Sequence, residues 1–524
     1  MKKIISSVCL MMVSILGFAQ NPIEAKYARF ININTLKKHL TIIASDSMEG
    51  RETGTEGQRK AAAYIEQHFK IIGLKPIAEL NGYQQFFPLK FDSVISSSLS
   101  ISNEKWNYGK DFICPISKNK TNHFTSNEIV FVGYGIDDSQ YSDYTNINVA
   151  GKLVVMITGE PKKKDKFFLR ANKDDVTWNL DFKLQTAKDK GAVGALIIDK
   201  SMSTFSKSMI MRNSKTGFSF NSNNENEVQE SAMSYAYISH EAGKKIIGDD
   251  FDNIIEVAKK YMLLNEMKKS FPIASTFDFQ KSSGSVNASN VLGVVEGSDK
   301  KDEYVFLTAH YDHLGIQDGV IYNGADDDGS GTVTVMQMAQ AFAQAKRDGN
   351  GPRRTMVFMT VSGEEKGLWG SEYYSDHPLF PLEKTSVDLN TDMIGRVDTE
   401  RKTADTLNYV YVVGHDKISS ELPVVNEGMN KKYTNLVLDY KFDDPNDPNR
   451  IYYRSDHYNF ARKGVPVLFF YDGMLLADYH QPTDDVDKIN WPLFQKRAQM
   501  IFYTAWEMAN REKMLKRNKS IPKD

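Results

Sequence analysis

"YVFLTAHYDHLGIQDGVIYNGADDDGSGTVTVMQMAQAFAQA", residues 304–345, holds the pattern on which the fold turns. The apolar run from Tyr304 to Ala309 reads as a strand that stops at His310. After a polar loop, Val333, Met336, Ala339 and Phe342 recur near a 3.6-residue period and read as a helix. Between the two stand three adjacent aspartates, Asp326, Asp327 and Asp328. One aspartate at a helix start is ordinary, because its carboxylate caps free N–H groups and meets the positive end of the macrodipole. Three in a row repel one another. Capping accounts for one of them, and a bound cation accounts for the rest.

The strand–loop–helix unit repeats. "NVLGVVEG", "YVFLTAH", "RTMVFMTVS", "TSVDLNTDM", "LNYVYVVG" and "VPVLFFYDG" read as strands, and "LFQKRAQMIFYTAWEMANREKML" as a long closing helix. Such alternation predicts an α/β fold, a mixed and mainly parallel sheet covered by helices on both faces. Ligands of such sheets bind at the carboxyl ends of the strands. Upstream, "NTLKKHLTIIAS" and "GQRKAAAYIEQHFKIIGLKP" read as helices, the second ended by Gly73 and Pro76, with the Gly-rich loop "DSMEGRETGTEG" between them. From residue 84 to 270 the character changes to short strands and polar turns. There "NEIVFVGYGI", "GKLVVMITGEP" and "GAVGALIIDK" read as buried strands, and "FKLQTAKDK" as a helix.

A chain of 524 residues has room for two or three domains. With 65 Lys and Arg against 67 Asp and Glu it has no basic excess, so nothing points to nucleic acid or an anionic membrane surface. "MKKIISSVCLMMVSILGFAQ" joins a Lys2–Lys3 head to an apolar run and a Gly17-Phe18-Ala19 end. It reads as a secretory signal cut after Ala19, too short to serve as a membrane span. Cys9 lies inside the apolar run and not at its end, which disfavours a lipid anchor. Only Cys114 then remains, so no intramolecular disulfide forms. The expectation is an exported protein, periplasmic or secreted, of a Gram-negative bacterium.

Chemistry collects at the strand ends. His310 is followed by Asp312 and His313, "RTMVFMTV" leads into Glu364 and Glu365, "TSVDLN" into Asp392, and the last core strand into "DYHQPTDD" with His480. Imidazoles and carboxylates in this mixture form a ligand set suited to zinc. Each piece alone has a plainer reading: a satisfied strand-end histidine, a solvated Glu-Glu turn. Their joint occurrence at successive strand ends carries the argument. His415 and His457 read as structural. The acidic "KFDDPNDPNRIYY" at 441–453 suggests calcium, but reads more simply as a Pro-rich solvated loop. HExxH, GxSxG, CxxC and GxxxxGK[ST] patterns are all missing.

"TAHYDHLG", "NGADDDGSGT", "SGEEKGLWGS", "NTDMIGR" and "YHQPTDD", in this order, closely resemble the co-catalytic di-zinc aminopeptidases. That family includes secreted bacterial leucine aminopeptidases and, more distantly, glutamate carboxypeptidase II and the transferrin receptor. The likeness covers residues 34–80 and 285–510, and the middle is similar to a protease-associated (PA) domain. It implies a signal peptide at 1–19, a discontinuous peptidase domain at 20–95 and 270–524, and a β-rich PA-like insert at 96–269.

The resemblance also implies two zinc ions per chain, with Asp327 bridging them. His310 and Asp392 complete one site, and Glu365 and His480 the other. Asp312 orients His310, Glu364 serves as general base, and Tyr479 steadies the oxyanion. Arg454 contacts substrate or is a surface arginine. Peptides are the implied substrates, cleaved from the N-terminus. A carboxypeptidase or dipeptidase on the same scaffold, a glutaminyl-cyclase-like acyltransferase and a non-catalytic receptor-like binding protein remain as alternatives.

Overall fold

In the computed structural model, which describes residues 22–170, 178–214, 217–220, 231–403 and 405–521, the apolar run at 304–309 lies in the middle of a sheet. The leader expected at 1–19 lies outside the described residues. Among the described residues no helix is long and apolar enough to cross a membrane. The chain divides into two units, Met1–Phe87 with Ala288–Asp524, and Pro88–Asn287.

In the first unit the strands are β1 (Ser275–Val295, its last part), β2 (Lys300–His310), β3 (Arg354–Val361), β4 (Thr385–Thr391), β5 (Tyr409–Val413), β6 (Val437–Asp439) and β7 (Val467–Tyr471). Their order across the sheet is β1-β3-β2-β4-β7-β5-β6. The core β3-β2-β4-β7 is parallel throughout. β1 runs antiparallel to β3, and β5 antiparallel to β7. This is the mixed, mainly parallel sheet that the alternating pattern predicts.

Both faces are covered, which is why these strands read as unbroken apolar runs. Val305, Leu307 and Ala309 of β2 pack with α1 (Ile33–Ile43), α2 (Glu56–Ile71), α3 (Gly331–Arg347) and α6 (Trp491–Asn510). Phe306 faces the other way, onto Tyr374 of α4 (Trp369–Asp376) and Phe460 of α5 (His457–Ala461). Helix ends follow local chemistry. Asn32 and Thr35 form a reciprocal capping box at α1. Gly73, at φ 76°, ends α2 as its N–H bonds Lys70 O while Leu74 N–H reaches Phe69 O, a Schellman closure.

In the second unit, parallel strands Ile129–Phe131, Leu153–Ile157, Gly194–Ile198 and Tyr235–Ile238 form the middle of a six-stranded sheet. Leu184 and Ala187 of helix Leu180–Asp189 cover one face. Ala242 and Ile246 of His240–Ile247 and Ile254 of Phe251–Lys259 cover the other. The chain passes between the units inside two long strands, Gln84–Ile101 and Ser275–Val295. A passage within a strand leaves no break in composition.

Where α1 and α2 meet α3, two histidines are buried together. The rings of His39 and His68 lie 4.7 Å apart, edge to face. His39 Nδ1 is 2.8 Å from Tyr64 Oη, and His68 Nε2 is 3.2 Å from Met336 O. Burial, then the neighbouring His68, pushes His39 down from 6.5 to about 4. The unfolded chain therefore takes up a proton that the fold refuses. Stability is whole above pH 6.5 and drains towards pH 4, by up to about 1.4 kcal/mol per pH unit. His39→Gln is expected to flatten the fall of the urea midpoint between these values. Parallel curves for variant and wild type would remove His39 from the acid response.

Candidate metal centre

The parallel core points four strand ends at one place. β2 ends on His310, opposite Val361 at the end of β3, and Thr391 at the end of β4 lies beside Phe470 of β7. Beyond them the chain supplies Glu364 and Glu365, Asp392, and the loop to His480. The aspartates enter from the irregular turn Ala325–Ser330 that precedes α3.

Asp327 is the centre of the arrangement. Its Oδ1 lies 3.3 Å from His310 Nε2, and its Oδ2 lies 3.2 Å from His480 Nε2. His310 Nε2 is also 3.6 Å from Asp392 Oδ1 and 3.9 Å from Glu364 Oε2. His480 Nε2 is 2.9 Å from Glu365 Oε2. The two oxygens of one carboxylate thus face two different histidine–carboxylate groups.

The other aspartates of the triplet have separate work. Asp328 Oδ1 accepts the N–H of Gly331 at 2.8 Å, the helix cap, and the N–H of Met393 at 3.0 Å. Its Oδ2 accepts the N–H of His310 at 3.2 Å. Asp326 Oδ1 accepts the N–H of Gly395 at 2.7 Å. Main-chain capping and the position facing the histidines fall on different members of the run.

Asp312 orients His310 through its main chain and not through its carboxylate. His310 Nδ1 meets the main-chain carbonyl of Asp312 at 3.1 Å, with the carboxylate at 3.6 Å. The carboxylate takes the Thr53 hydroxyl at 2.7 Å and the N–H of Glu364 at 3.3 Å. With Nδ1–H donated to a carbonyl, Nε2 is the nitrogen turned towards Asp327 and Asp392. Tyr479 stacks on His480, and its hydroxyl accepts from Arg454 Nη2 at 3.1 Å. Both line a cavity at the strand ends with Met393, Ile451, Phe469 and Leu475.

Three contributors have no assigned role in the sequence reading. His313, fully buried, holds Nδ1 2.8 Å from Glu365 Oε1. Its signal was the second histidine of "HYDH". Ser455 donates to Asp392 Oδ2 at 2.7 Å. Arg51, fully buried, comes from the polar loop before α2. It donates to the carbonyls of Tyr311, Ile43, Asn323 and Gly324 at 2.6–2.9 Å, fixing the approach to the triplet.

The electrostatics call for added positive charge. Burial lifts Asp326, Asp328 and Glu364 well above the usual carboxylate range, and neighbouring carboxylates lift them further. Burial opposes the charge of Asp327 too, yet the two histidines facing it hold it well below that range. His480 is raised to about 10, against its burial, by Asp327 and Glu365. A divalent cation answers the same need. His310 Nε2, His313 Nδ1, Asp327 Oδ2 and Glu365 Oε1 are all buried without an aligned hydrogen-bond partner. Orphaned atoms of imidazole and carboxylate type, converging within coordination reach, fit a metal such as zinc.

A third group, His415, Asp416 and Asp443, also lies within ligand distance of one another. Asp443 is already taken by His415 Nδ1 at 2.6 Å and Lys417 Nζ at 2.9 Å. Asp444 and Asp447 accept the N–H groups of their own turns. The 441–453 loop carries many hydrogen bonds and ion pairs of its own.

Arg51→Met takes a donor from each of four carbonyls, of which only Gly324 O keeps another, the Gly329 N–H, and is expected to cost at least about 3 kcal/mol in urea unfolding of the metal-free protein. Arg51→Lys should recover part of that. A loss below about 1 kcal/mol for the methionine variant would mean the carbonyls find other donors.

Residues 290–505 match the sequence profile of Peptidase family M28. The chain is 33% identical over 140 residues to a probable zinc metalloprotease of Leptosphaeria maculans, covering 26% of this chain and 30% of that protein. It is 25% identical over 243 residues to aminopeptidase YwaD of Bacillus subtilis, covering 43% of this chain and 45% of that protein. The chain therefore spans less than half the length of each of these two relatives. The solved aminopeptidase from Aneurinibacillus sp. strain AM-1 superposes with a TM-score of 0.54 at 16% identity, over 96% of this chain and 98% of that one. A zinc aminopeptidase from Bacillus subtilis gives 0.52 at 18% identity, over 93% and 98%. These last two are likenesses of fold. The segment 290–505, which matches peptidase family M28, carries every strand-end histidine and carboxylate of the two groups.

Proposed function

We propose that the protein is an exported zinc aminopeptidase that removes N-terminal residues from peptides. The observation that carries this reading is Asp327, whose two oxygens face two separate histidine–carboxylate groups. Two zinc ions would be held by His310, Asp392 and Asp327 on one side, and by Asp327, Glu365 and His480 on the other. Zinc there supplies Lewis acidity and lowers the pKa of water towards roughly 7. The aminopeptidase names of relatives and fold neighbours support the same chemistry.

The remaining work belongs to the side chains. Glu364, lifted by burial and by Asp392 and Glu365, is suited to take a proton from water and return it to the leaving amine. The N–H bond from Glu364 to Asp312 fixes where that carboxyl starts. Tyr479, held by Arg454, is placed to donate to an oxyanion. The apolar wall of Met393, Ile451, Phe469 and Leu475 suits the side chain of a substrate residue. One observation favours a second reading: Arg454, exposed at the rim of this cavity, could pair with a terminal carboxylate, as a carboxypeptidase or dipeptidase requires. We assign the segment 96–269, within the second unit, to a PA-like insert, and the leader at 1–19 to export.

The zinc-loaded protein is to be incubated with one mixed-sequence peptide in free, N-acetylated and C-amidated forms, and the products read by mass spectrometry. Stepwise N-terminal loss, blocked only by acetylation, is expected. Loss blocked by amidation would move the assignment to the carboxypeptidase. Glu364→Gln should lower kcat by about 10²–10⁴-fold while zinc content is unchanged. A variant with full kcat would free Glu364 of the base role.

A further inference from the structure

We infer that Asp484 is the positioning residue that holds the bridging aspartate in register with the His480 loop, and thereby sets the affinity of the centre for metal. This role rests on the metal reading above. It goes beyond that reading in naming a residue that touches neither metal nor substrate.

Asp484 is fully buried. Its Oδ1 and Oδ2 accept the N–H of Asp326 at 3.2 and 3.0 Å, and Oδ2 also accepts the N–H of Asp327 at 3.0 Å. Its main-chain carbonyl accepts the N–H of Ala325 at 3.0 Å. Three successive N–H groups, ahead of α3 and outside its ladder, therefore end on one residue. Buried N–H groups must be paired somewhere, and these three open the kinked turn Ala325–Ser330, where no earlier turn supplies carbonyls for them.

The same residue closes the loop that carries His480. Asp484 N–H bonds Gln481 O at 3.2 Å, and Gln481 N–H bonds Asp478 O at 3.0 Å. The Asp478 carboxylate is held by Arg396 Nη2 and Lys488 Nζ, both at 2.6 Å. Arg396 belongs to the segment that follows Asp392, and its Nη1 lies 3.6 Å from Asp484 Oδ1. Three ligand-bearing segments, 325–328, 392–396 and 478–485, thus converge on Asp484. A backbone shift at Asp327 moves both of its oxygens at once, away from His310 and His480 together.

Oδ2 accepts from both Asp326 and Asp327, and Oδ1 accepts from Asp326 again, so neither oxygen's place suits a donor. An asparagine keeps the shape but turns one of them into an NH2, which would confront the N–H of Asp326 or Asp327. Asp484→Asn therefore tests positioning without opening a cavity, and Asp484→Ala removes both acceptors.

The metal-free protein is to be titrated with Zn2+ against a chromophoric chelator. Wild type should take up two equivalents. Asp484→Asn should bind zinc about 10–100-fold more weakly, as loss of a partner behind a metal ligand does elsewhere. Asp484→Ala should bind more weakly still. At saturating zinc, kcat on the peptide is expected to fall with KM little changed. If either variant does not fold, hydrogen exchange in metal-free wild type decides: the amides of 325–327 should be protected before zinc is added. Exchange there as fast as in exposed loops overturns the inference. So does an Asp484→Asn protein with wild-type zinc affinity, which leaves the metal reading intact. Wild-type protein that takes up no zinc overturns both.

Discussion

Three consecutive carboxylates buried at the edge of a parallel sheet are the constraint around which the first unit is arranged. Charge in a poorly solvated place must be neutralised or paired, since its transfer from water is costly. Each aspartate meets that demand differently. Asp328 spends its oxygens on main-chain N–H groups of three segments, Asp326 reaches the loop after Asp392, and Asp327 alone is left facing histidines. Because Asp328 bonds through both oxygens and Asp326 through Oδ1, Asp327 is the one that turns both oxygens to histidines. A metal centre follows from that division of labour.

The sheet supplies direction and the loops supply identity. Parallel strands bring His310, the Glu364–Glu365 pair and Asp392 to one edge without any of them being close in sequence. Neighbouring Glu364 and Glu365 then lean towards different groups, one to His310 and the other to His480 and His313. Left-handed backbone at Met393 (φ 56°) and His480 (φ 55°) turns the chain sharply beside two of these positions. Strain of that kind concentrates where function holds it in place.

Much of this was legible in the chain. The strands, their parallel sense and the strand-end histidines and carboxylates all follow from periodicity and from where the apolar runs stop. The triplet divides otherwise than one capping aspartate and two left over: Asp326 and Asp328 both take main-chain N–H groups, and Asp327 alone faces histidines. Arg51, Asp484 and Thr53 were not legible as parts of the centre, although each stood in a quoted stretch. Their contacts join residues more than 150 positions apart, mostly through main-chain groups, which have no letter in a sequence. Asp312 shows the same limit: its carbonyl and not its carboxylate meets His310 Nδ1. The boundary of the second unit was hidden for another reason, since it falls in mid-strand.

Arg51 carries a consequence in time. The carbonyls it holds at Asn323 and Gly324 are 272 and 273 residues further along the chain. At synthesis rates of about 5–20 residues per second, the arginine waits roughly 15–55 s for them, with the whole second unit emerging in between. The His480 loop, whose Asp484 lies 158 residues beyond Asp326, comes later again. The first helices can form early, but the edge they support is assembled last. A centre built this way stays inert for as long as its own chain is being made.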